Sequence, residues 1–533
     1  MSRSLKNISI VSVATVLSRC LGLVRDILVT AVFGATGLAS AFVTAFTLPN
    51  LFRRLLGEGA LTAAMVPTLN EELAVDRKSS AFRIVNEVTS WLGLVTLVIV
   101  VGAMGALHLL ADSAWLREVS HDPTQWQRWQ TAAHLAVWLF PYLFFVCLAS
   151  AFSAALQTLG RFVAPALSPI LLNLSMIGAL TWAVWGLNLE LGHAQMKWLC
   201  GGVLVGGFWQ MLAPAVALSR SGWRPAWGFR LSPAVKSILV LMGPTVFGSA
   251  IYLINLSVSR IIGLSLNDSA AAILNLATRL VELPIGVFAI AVTTVVFPLI
   301  SQYAAKGDWT GMAAAYRKGM RLILAINVPA AVGMVLLAPP IIRLLFQRGE
   351  FGAGNTAEMI PVLGIFAIGL PFFAYVSLLL RAFYAQKDTR TPVRAALISF
   401  GVNIGLCFAL KGPFSTQGLA IASNVAVIVQ AWYLQRALTA RRPELAFAPM
   451  GGDLAKIGGA SVIMGLVVTA GVAAFDSLAV GFGPDLARLV VLIPLGGLVF
   501  AGMAFAFRLE GREELLQLVR QRLLGKASET TTK

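Results

Sequence analysis

Arginine sits in this chain where an apolar segment should not hold it. Arg19 and Arg25 lie in the first greasy stretch, with Asp26 beside them. Arg53 and Arg54 end the second, with Glu58 close behind. A charge at membrane depth costs at least about 2.5–3.5 kcal/mol on insertion scales, so it normally faces a cavity and meets a partner or a ligand. Arginine suits phosphate, because its planar fork bonds two oxygens at once and keeps its charge when buried. The chemistry these residues point to is the holding of an anion inside a membrane.

Residues seven apart on a helix return to nearly the same face. Arg19 and Asp26 have that spacing, about 10 Å along the axis, with Arg25 about a third of a turn away. Arg54 and Glu58, and further on Arg279 and Glu282, have the spacing of pairs within one helix. Arg260 and Arg381 also fall in apolar spans, so such pairing leaves positive charge over. Gly22, Gly34, Gly57 and Gly59 flank the charges, and Gly22 and Gly57 are the hinge candidates, since glycine lets helices bend or approach closely.

The surrounding chain sets the class. It has 533 residues, 58% hydrophobic and only 12% charged, against roughly 25% charged in soluble domains. Long apolar runs read as transmembrane helices, not as the alternating strands of a β-barrel. The 1–7 segment is short and basic, and the apolar stretch after it is too long for a signal peptide, so it reads as a retained first helix. The net charge of +17 belongs to cytoplasmic loops rather than to a nucleic-acid surface. Cys20, Cys147, Cys200 and Cys407 are scattered through apolar segments, the four histidines do not cluster, and no HExxH, P-loop or GxSxG motif occurs. The residues point to no metal site and no resident cofactor.

The expected fold is all-α, with fourteen spans near 8–33, 37–57, 84–111, 130–157, 163–186, 197–219, 236–264, 270–301, 315–339, 357–385, 393–410, 415–437, 455–475 and 486–507. With that count, Lys and Arg in the termini and even-numbered gaps outnumber those in the odd-numbered gaps about fourfold, which puts both termini in the cytoplasm. Two segments look alike: Gln157 to Pro165 with Asn173 beyond, and Gln386 to Pro392 with Asn403 beyond. A looser pair is Arg54 to Glu58 against Arg279 to Glu282, each followed by a proline expected to close its helix, Pro67 and Pro298. The shared offset divides the chain into a lobe over 1–230, a second over 231–445, a helix pair over 446–510 and a cytoplasmic tail over 511–533. The tail is expected to begin as a short charged helix.

The run Ser18-Arg19-Cys20-Leu21-Gly22-Leu23-Val24-Arg25-Asp26, then Phe33-Gly34-Ala35, then Leu48-Pro49-Asn50-Leu51-Phe52-Arg53-Arg54-Leu55-Leu56-Gly57-Glu58-Gly59-Ala60, resembles the N-terminal signature of the MurJ (MviN) family. The resemblance continues through Met242-Gly243-Pro244, Arg279 to Val287, Leu345 to Phe351 and Phe383 to Pro392, in order along essentially the whole chain. These are flippases for lipid II, the polyprenyl-pyrophosphate-linked peptidoglycan precursor, in the multidrug/oligosaccharidyl-lipid/polysaccharide exporter superfamily. The resemblance implies two six-helix lobes around a central cationic cavity. It implies substrate-binding arginines at Arg19, Arg25, Arg53 and Arg279, with Asp26, Glu58 and Glu282 as acidic partners. It also implies a lipid-tail groove at the last two helices. The expected setting is the cytoplasmic (inner) membrane, with lipid II and membrane lipids as partners, cell-wall synthesis proteins as neighbours, and a monomer as the working unit. Two positions depart from the family: Ser40 and Thr278 stand where an acid is common.

The reading is therefore a non-enzymatic flippase that works by alternating access, coupled to an ion or energy source that the sequence leaves unspecified. A flippase for another lipid-linked glycan is the nearest alternative. A drug exporter would carry spare acid, not spare arginine. A membrane enzyme acting on polyprenyl phosphates would need a DxD pair or a histidine base, and the cytoplasmic loops supply neither.

Overall fold

The computed structural model describes residues 3–53, 61–74, 78–120, 122–190, 192–286, 290–475 and 481–510. Among them the chain is helical, without strands. In order it forms α1 (Arg3–Phe33), α2 (Gly37–Phe52), α3 (Leu61–Ala74), α4 (Lys78–Ala111), α5 (Ala114–Val119), α6 (Pro123–Leu139), α7 (Pro141–Thr158), α8 (Val163–Thr181), α9 (His193–Ser219) and α10 (Pro233–Leu266). It continues with α11 (Ala270–Pro284), α12 (Ile290–Lys306), α13 (Trp309–Leu336), α14 (Ala338–Phe346), α15 (Ala353–Ala385), α16 (Arg390–Arg441), α17 (Gly451–Ala474) and α18 (Phe482–Ala506). Nine of the described helices are long and apolar enough to cross a membrane. The protein is a multi-pass membrane protein.

Prolines, glycines and polar residues break the expected spans. The 130–157 span divides at Phe140, where Pro141 opens α7. The eighth span ends one helix at Pro284 and starts another at Ile290. The eleventh and twelfth run together as α16, broken at Ser415, whose φ is +45°. The helix α3 was not expected, because Thr68, Asn70, Glu71 and Glu72 lower its hydropathy. Pro67 and Pro298 lie inside α3 and α12 instead of closing helices. A proline removes one amide donor but does not by itself end a helix that neighbouring packing supports. The expected tail over 511–533 lies outside the described residues.

The chain forms two compact units, Met1–Asn275 with Arg348–Asn355, and Leu276–Gln347 with Thr356–Lys533. In the first, α3, α4, α7 and α10 bury Leu61, Met65, Leu69, Val85, Phe152 and Ile238. Helix α9 packs on α7 and α8. Its approach is close: a Cβ built at Gly202 would come within 2.7 Å of the Ala179 side chain, and one at Gly206 within 2.9 Å of Leu172 Cα. Small residues let helix backbones meet where lipid removes the hydrophobic drive between helices.

The segment 348–355 joins this unit by a tight contact. Glu350 N–H donates to the Ala31 carbonyl near the end of α1 at 2.9 Å. Gly349 has φ +57°, and a Cβ there would overlap the same carbonyl.

In the second unit Ile300, Tyr316, Met320, Ile323, Leu379, Phe383 and Leu434 form the core. A buried ion cluster ties α14 to α18. Arg343 Nε and Nη2 each donate at 2.7 Å, one to each oxygen of Asp485. Arg488 Nη1 donates to Asp485 at 3.1 Å, and its Nη2 reaches the Phe475 carbonyl at 2.7 Å. Asp485 and Arg488 are almost wholly buried.

Asp388 organises the turn into α16. It accepts from the Arg390 and Thr391 amides and the Thr391 hydroxyl, and it pairs with Arg441. Partial burial works against its charge, but the Thr391 bonds and the Arg441 guanidinium outweigh that and hold its pKa below the usual carboxylate value. A carboxylate depressed in the folded state stabilises above its unfolded pKa and stops doing so as pH falls through the folded one. Asp388→Ala is therefore expected to cost about 1 kcal/mol, as for a lost helix cap. Melting of both proteins in detergent checks this: the gap should be present at pH 7 and shrink as the pH is taken below the unfolded carboxylate pKa.

Candidate functional site

The charges of α1 are held by α8. Arg25 donates from Nε at 3.0 Å and Nη2 at 2.7 Å to one oxygen of Asp26. Its Nη1 donates to Asn173 Oδ1 at 2.9 Å and touches Met176 Sδ at 3.9 Å. Asn173 Nδ2 in turn donates to the Ser18 carbonyl at 3.1 Å. Gly22 faces the same amide, with 3.7 Å left for a Cβ. One asparagine thus fixes both the α1 backbone and the guanidinium of Arg25. The Arg25 and Asp26 side chains keep only 11% and 15% of their exposure. The carboxylate pairs with its sequence neighbour, not with Arg19 a face-repeat away. Arg19 is exposed, and among the described residues its side chain has no bonded partner.

Arg53 ends α2, where its Nε donates to Asn50 Oδ1 at 2.7 Å, one turn back. Glu58 and Gly57, with Arg54 and Gly59, lie outside the described residues. Arg260 on α10 donates to the Thr47 hydroxyl at 3.2 Å. In the second unit Arg279 faces Glu282 at 3.8 Å across one turn, both partly exposed. Arg381 lies over the Phe297 ring, 5.4 Å from its centroid. The first unit thus brings Arg25, Asp26 and Asn173 together, while Arg279 and Glu282 form their own pair in the second.

A second polar cluster sits at the start of α2, and sequence reasoning missed it. Arg128 on α6 is buried. Its Nε donates to the Leu264 carbonyl at 2.9 Å and its Nη1 to Asp268 at 2.8 Å. Ser40, buried completely, donates to the Asp268 carbonyl at 2.5 Å and accepts from the Ala272 amide at 3.2 Å. A Cβ at Gly37 would lie 3.3 Å from the Asp268 carboxylate. The Ser40 hydroxyl staples α2 to the start of α11, and a nearby carboxylate is supplied by Asp268. The signal available in the sequence was Asn267-Asp268 at the break between two apolar runs, with Arg128 placed in a loop.

Other titratable groups have structural surroundings. None of the four cysteines forms a disulfide, and three of them are buried. Among the described residues no group of His, Cys, Asp and Glu could hold a metal ion. The arrangement offers guanidinium forks, one held ready and one unengaged, on a helix that is otherwise apolar. That suits reversible binding of a phosphate-bearing molecule.

Comparison with known proteins gives the family. A family model described as "Lipid II flippase MurJ" matches residues 29–487. A "Probable lipid II flippase MurJ" of Haemophilus influenzae is 33% identical over 435 residues, covering 80% of this chain and 84% of the relative. One of Vibrio cholerae is 33% identical over 441 residues, covering 82% and 83%. Among solved structures, a lipid II flippase MurJ in an inward closed conformation shares the fold with TM-score 0.76 at 24% identity, covering 95% of this chain and 99% of that one. An inward-facing multidrug resistance MATE family transporter of the MOP superfamily follows at TM-score 0.62 and 15% identity, covering 79% and 95%.

Proposed function

The chain belongs to the lipid II flippase MurJ family, and from that premise we propose that it carries lipid II from the inner to the outer leaflet of the cytoplasmic membrane by alternating access. The observation that supports this most is the Arg25–Asp26–Asn173 cluster beside the unengaged Arg19. Two donors of Arg25 converge on one carboxylate oxygen, the geometry a phosphate oxygen also takes. Asp26 is then the internal stand-in for the pyrophosphate. It keeps the guanidinium oriented while no substrate is bound, and it yields its place when substrate enters. Arg19 and Arg53 supply further positive charge to the headgroup, and Glu58 tempers it. The prenyl tail stays in lipid along the last two helices. No bond is made or broken, so the reading assigns transport and not catalysis.

Energetics bear on direction. Moving negative charge outward against an inside-negative potential costs about 2.3 kcal/mol per charge per 100 mV. Net outward flux then needs an ion gradient, or removal of product by wall synthesis on the far side. We assign both termini to the cytoplasm on the loop charge bias, and we take the working unit to be a monomer.

The test is depletion of this protein in its host, followed by assay of lipid-linked precursors on each face of the membrane. Lipid II should accumulate on the cytoplasmic face and return to normal when the gene is restored. A C-terminal reporter should be active only in the cytoplasm. Accumulation of a different polyprenyl-linked glycan, with lipid II unchanged, would overturn the substrate assignment.

A further inference from the structure

Residues 221–232, between α9 and α10, form no helix yet are firmly seated. Three hydrogen bonds fix them to α4. Trp223 Nε1 donates to Asn86 Oδ1 at 2.8 Å, Asn86 Nδ2 donates to the Arg224 carbonyl at 3.1 Å, and Gly228 N–H donates to Ser90 Oγ at 3.0 Å. Trp223 is buried against Phe152, ring centroids 5.2 Å apart. Phe229 meets Trp91 edge-on at 5.8 Å.

So anchored, the segment turns its largest apolar groups outward. Trp227 is 83% exposed and stacks nearly parallel on Phe229, which is itself half exposed, as is Leu231. A stacked aromatic pair held in the open by bonds elsewhere in the segment needs a cover.

The height of the segment on α4 identifies that cover. Before Trp91, α4 carries Lys78, Arg83, Asn86 and Glu87. One turn past Trp91 begins its outward-facing apolar surface, Leu94, Val95, Leu97, Val98 and Val101. Ten residues of helix separate Trp91 from Val101, about 15 Å, close to half of a ~30 Å hydrocarbon core. Trp227 and Phe229 therefore lie at the rim of the lipid-facing surface, the level tryptophan favours in membrane proteins. Charge agrees with place. Arg224 and Arg230 are exposed and bond through their side chains to no described residue, and 221–236 contains Arg224, Arg230 and Lys236 but no acid.

We propose that residues 221–232 are a lipid-binding strap, with Trp227 and Phe229 inserted at the acyl–headgroup boundary and Arg224 and Arg230 binding anionic phospholipid headgroups. The apolar pair sets the depth and the arginines select the headgroup charge. This lipid contact does not depend on which lipid-linked substrate the chain carries.

The test uses the full-length protein in nanodiscs, which leave both faces open. Cys20→Ser removes the exposed thiol, and Trp227→Cys takes an environment-sensitive fluorophore. The expected result is strong quenching by lipid spin-labelled near the headgroup, weak quenching by iodide, and a blue-shifted emission. Replacing a quarter of the phosphatidylcholine with phosphatidylglycerol should cut quenching by acrylamide, a neutral quencher that an anionic surface does not repel, at least twofold. Arg224→Gln with Arg230→Gln should abolish that lipid dependence while leaving the phosphatidylcholine value unchanged. Both arginines are exposed, so these variants are expected to fold. Iodide quenching as strong as for the free dye conjugate would overturn the insertion. An anionic-lipid response that survives loss of both arginines would overturn the headgroup assignment.

Discussion

Arg25→Ala is expected to abolish complementation of a flippase-depleted strain while the protein still reaches the membrane at normal levels. The side chain makes two bonds to Asp26 and one to Asn173, so alanine removes both the charge and the fork. Each charge-assisted bond made to substrate phosphate contributes about 1.5–3 kcal/mol, which sets the expected loss of transport at tenfold or more for every bond forgone. Arg25→Lys separates the two contributions. Lysine keeps the charge but cannot bond two oxygens in a plane, so it should restore only a small part of the activity, and Arg279→Lys should be impaired likewise. Asn173→Ala should fall between, because it leaves charge and fork in place but frees Nη1 and the Ser18 carbonyl. Arg260→Ala and Arg381→Ala should be mild, since both lie outside the Arg25 cluster, one reaching the Thr47 hydroxyl and the other lying over the Phe297 ring. Full complementation by the lysine variants at normal expression would replace bidentate recognition with diffuse attraction.

Asp485→Ala should destabilise the protein more than any other single change described. Asp485 is the shared acceptor of two arginines in a site almost closed to solvent. Its removal leaves two like charges facing each other without a counter-ion, and breaking a buried pair from one side typically costs about 3–5 kcal/mol. Thermal unfolding in detergent should show a large drop. The double variant Asp485→Ala with Arg343→Met should recover part of it, because the excess charge goes too. A drop no larger than that of Asp388→Ala would mean that the cluster is already hydrated.

Much of this was legible in the sequence, for identifiable reasons. Charges inside apolar runs advertise themselves, so Arg19, Arg25, Asp26 and Arg279 stood out, and the spacing of Arg279 and Glu282 foretold their pairing. The partner of Arg25 did not stand out. Asn173 was visible only through a local likeness to the segment that carries Asn403, which is buried and accepts from the Cys407 thiol at 3.7 Å, and that likeness did not reveal its bond to Arg25. Arg128 was hidden because a loop-edge arginine looks solvated until the chain folds back, and Leu264 and Asp268 are about 140 positions away. Helix breaks were poorly legible too. Hydropathy averages over a window, so it passes smoothly across Ser415, where backbone geometry interrupts the helix.

The contact between Ala31 and Glu350 has a consequence for biosynthesis. Its two ends are about 320 residues apart, a long closure by the measure of contact order. Residues 348–355 belong to the first unit, although the chain on either side of them belongs to the second. A nascent chain emerging in order can insert α1 early, but it cannot complete the C-terminal end of that helix until α14 has been made. Until then the Ala31 carbonyl lacks its native donor. The first unit is therefore finished by a late-arriving segment, and fidelity of assembly depends on α1 staying in place while the chain through α14 is threaded into the bilayer.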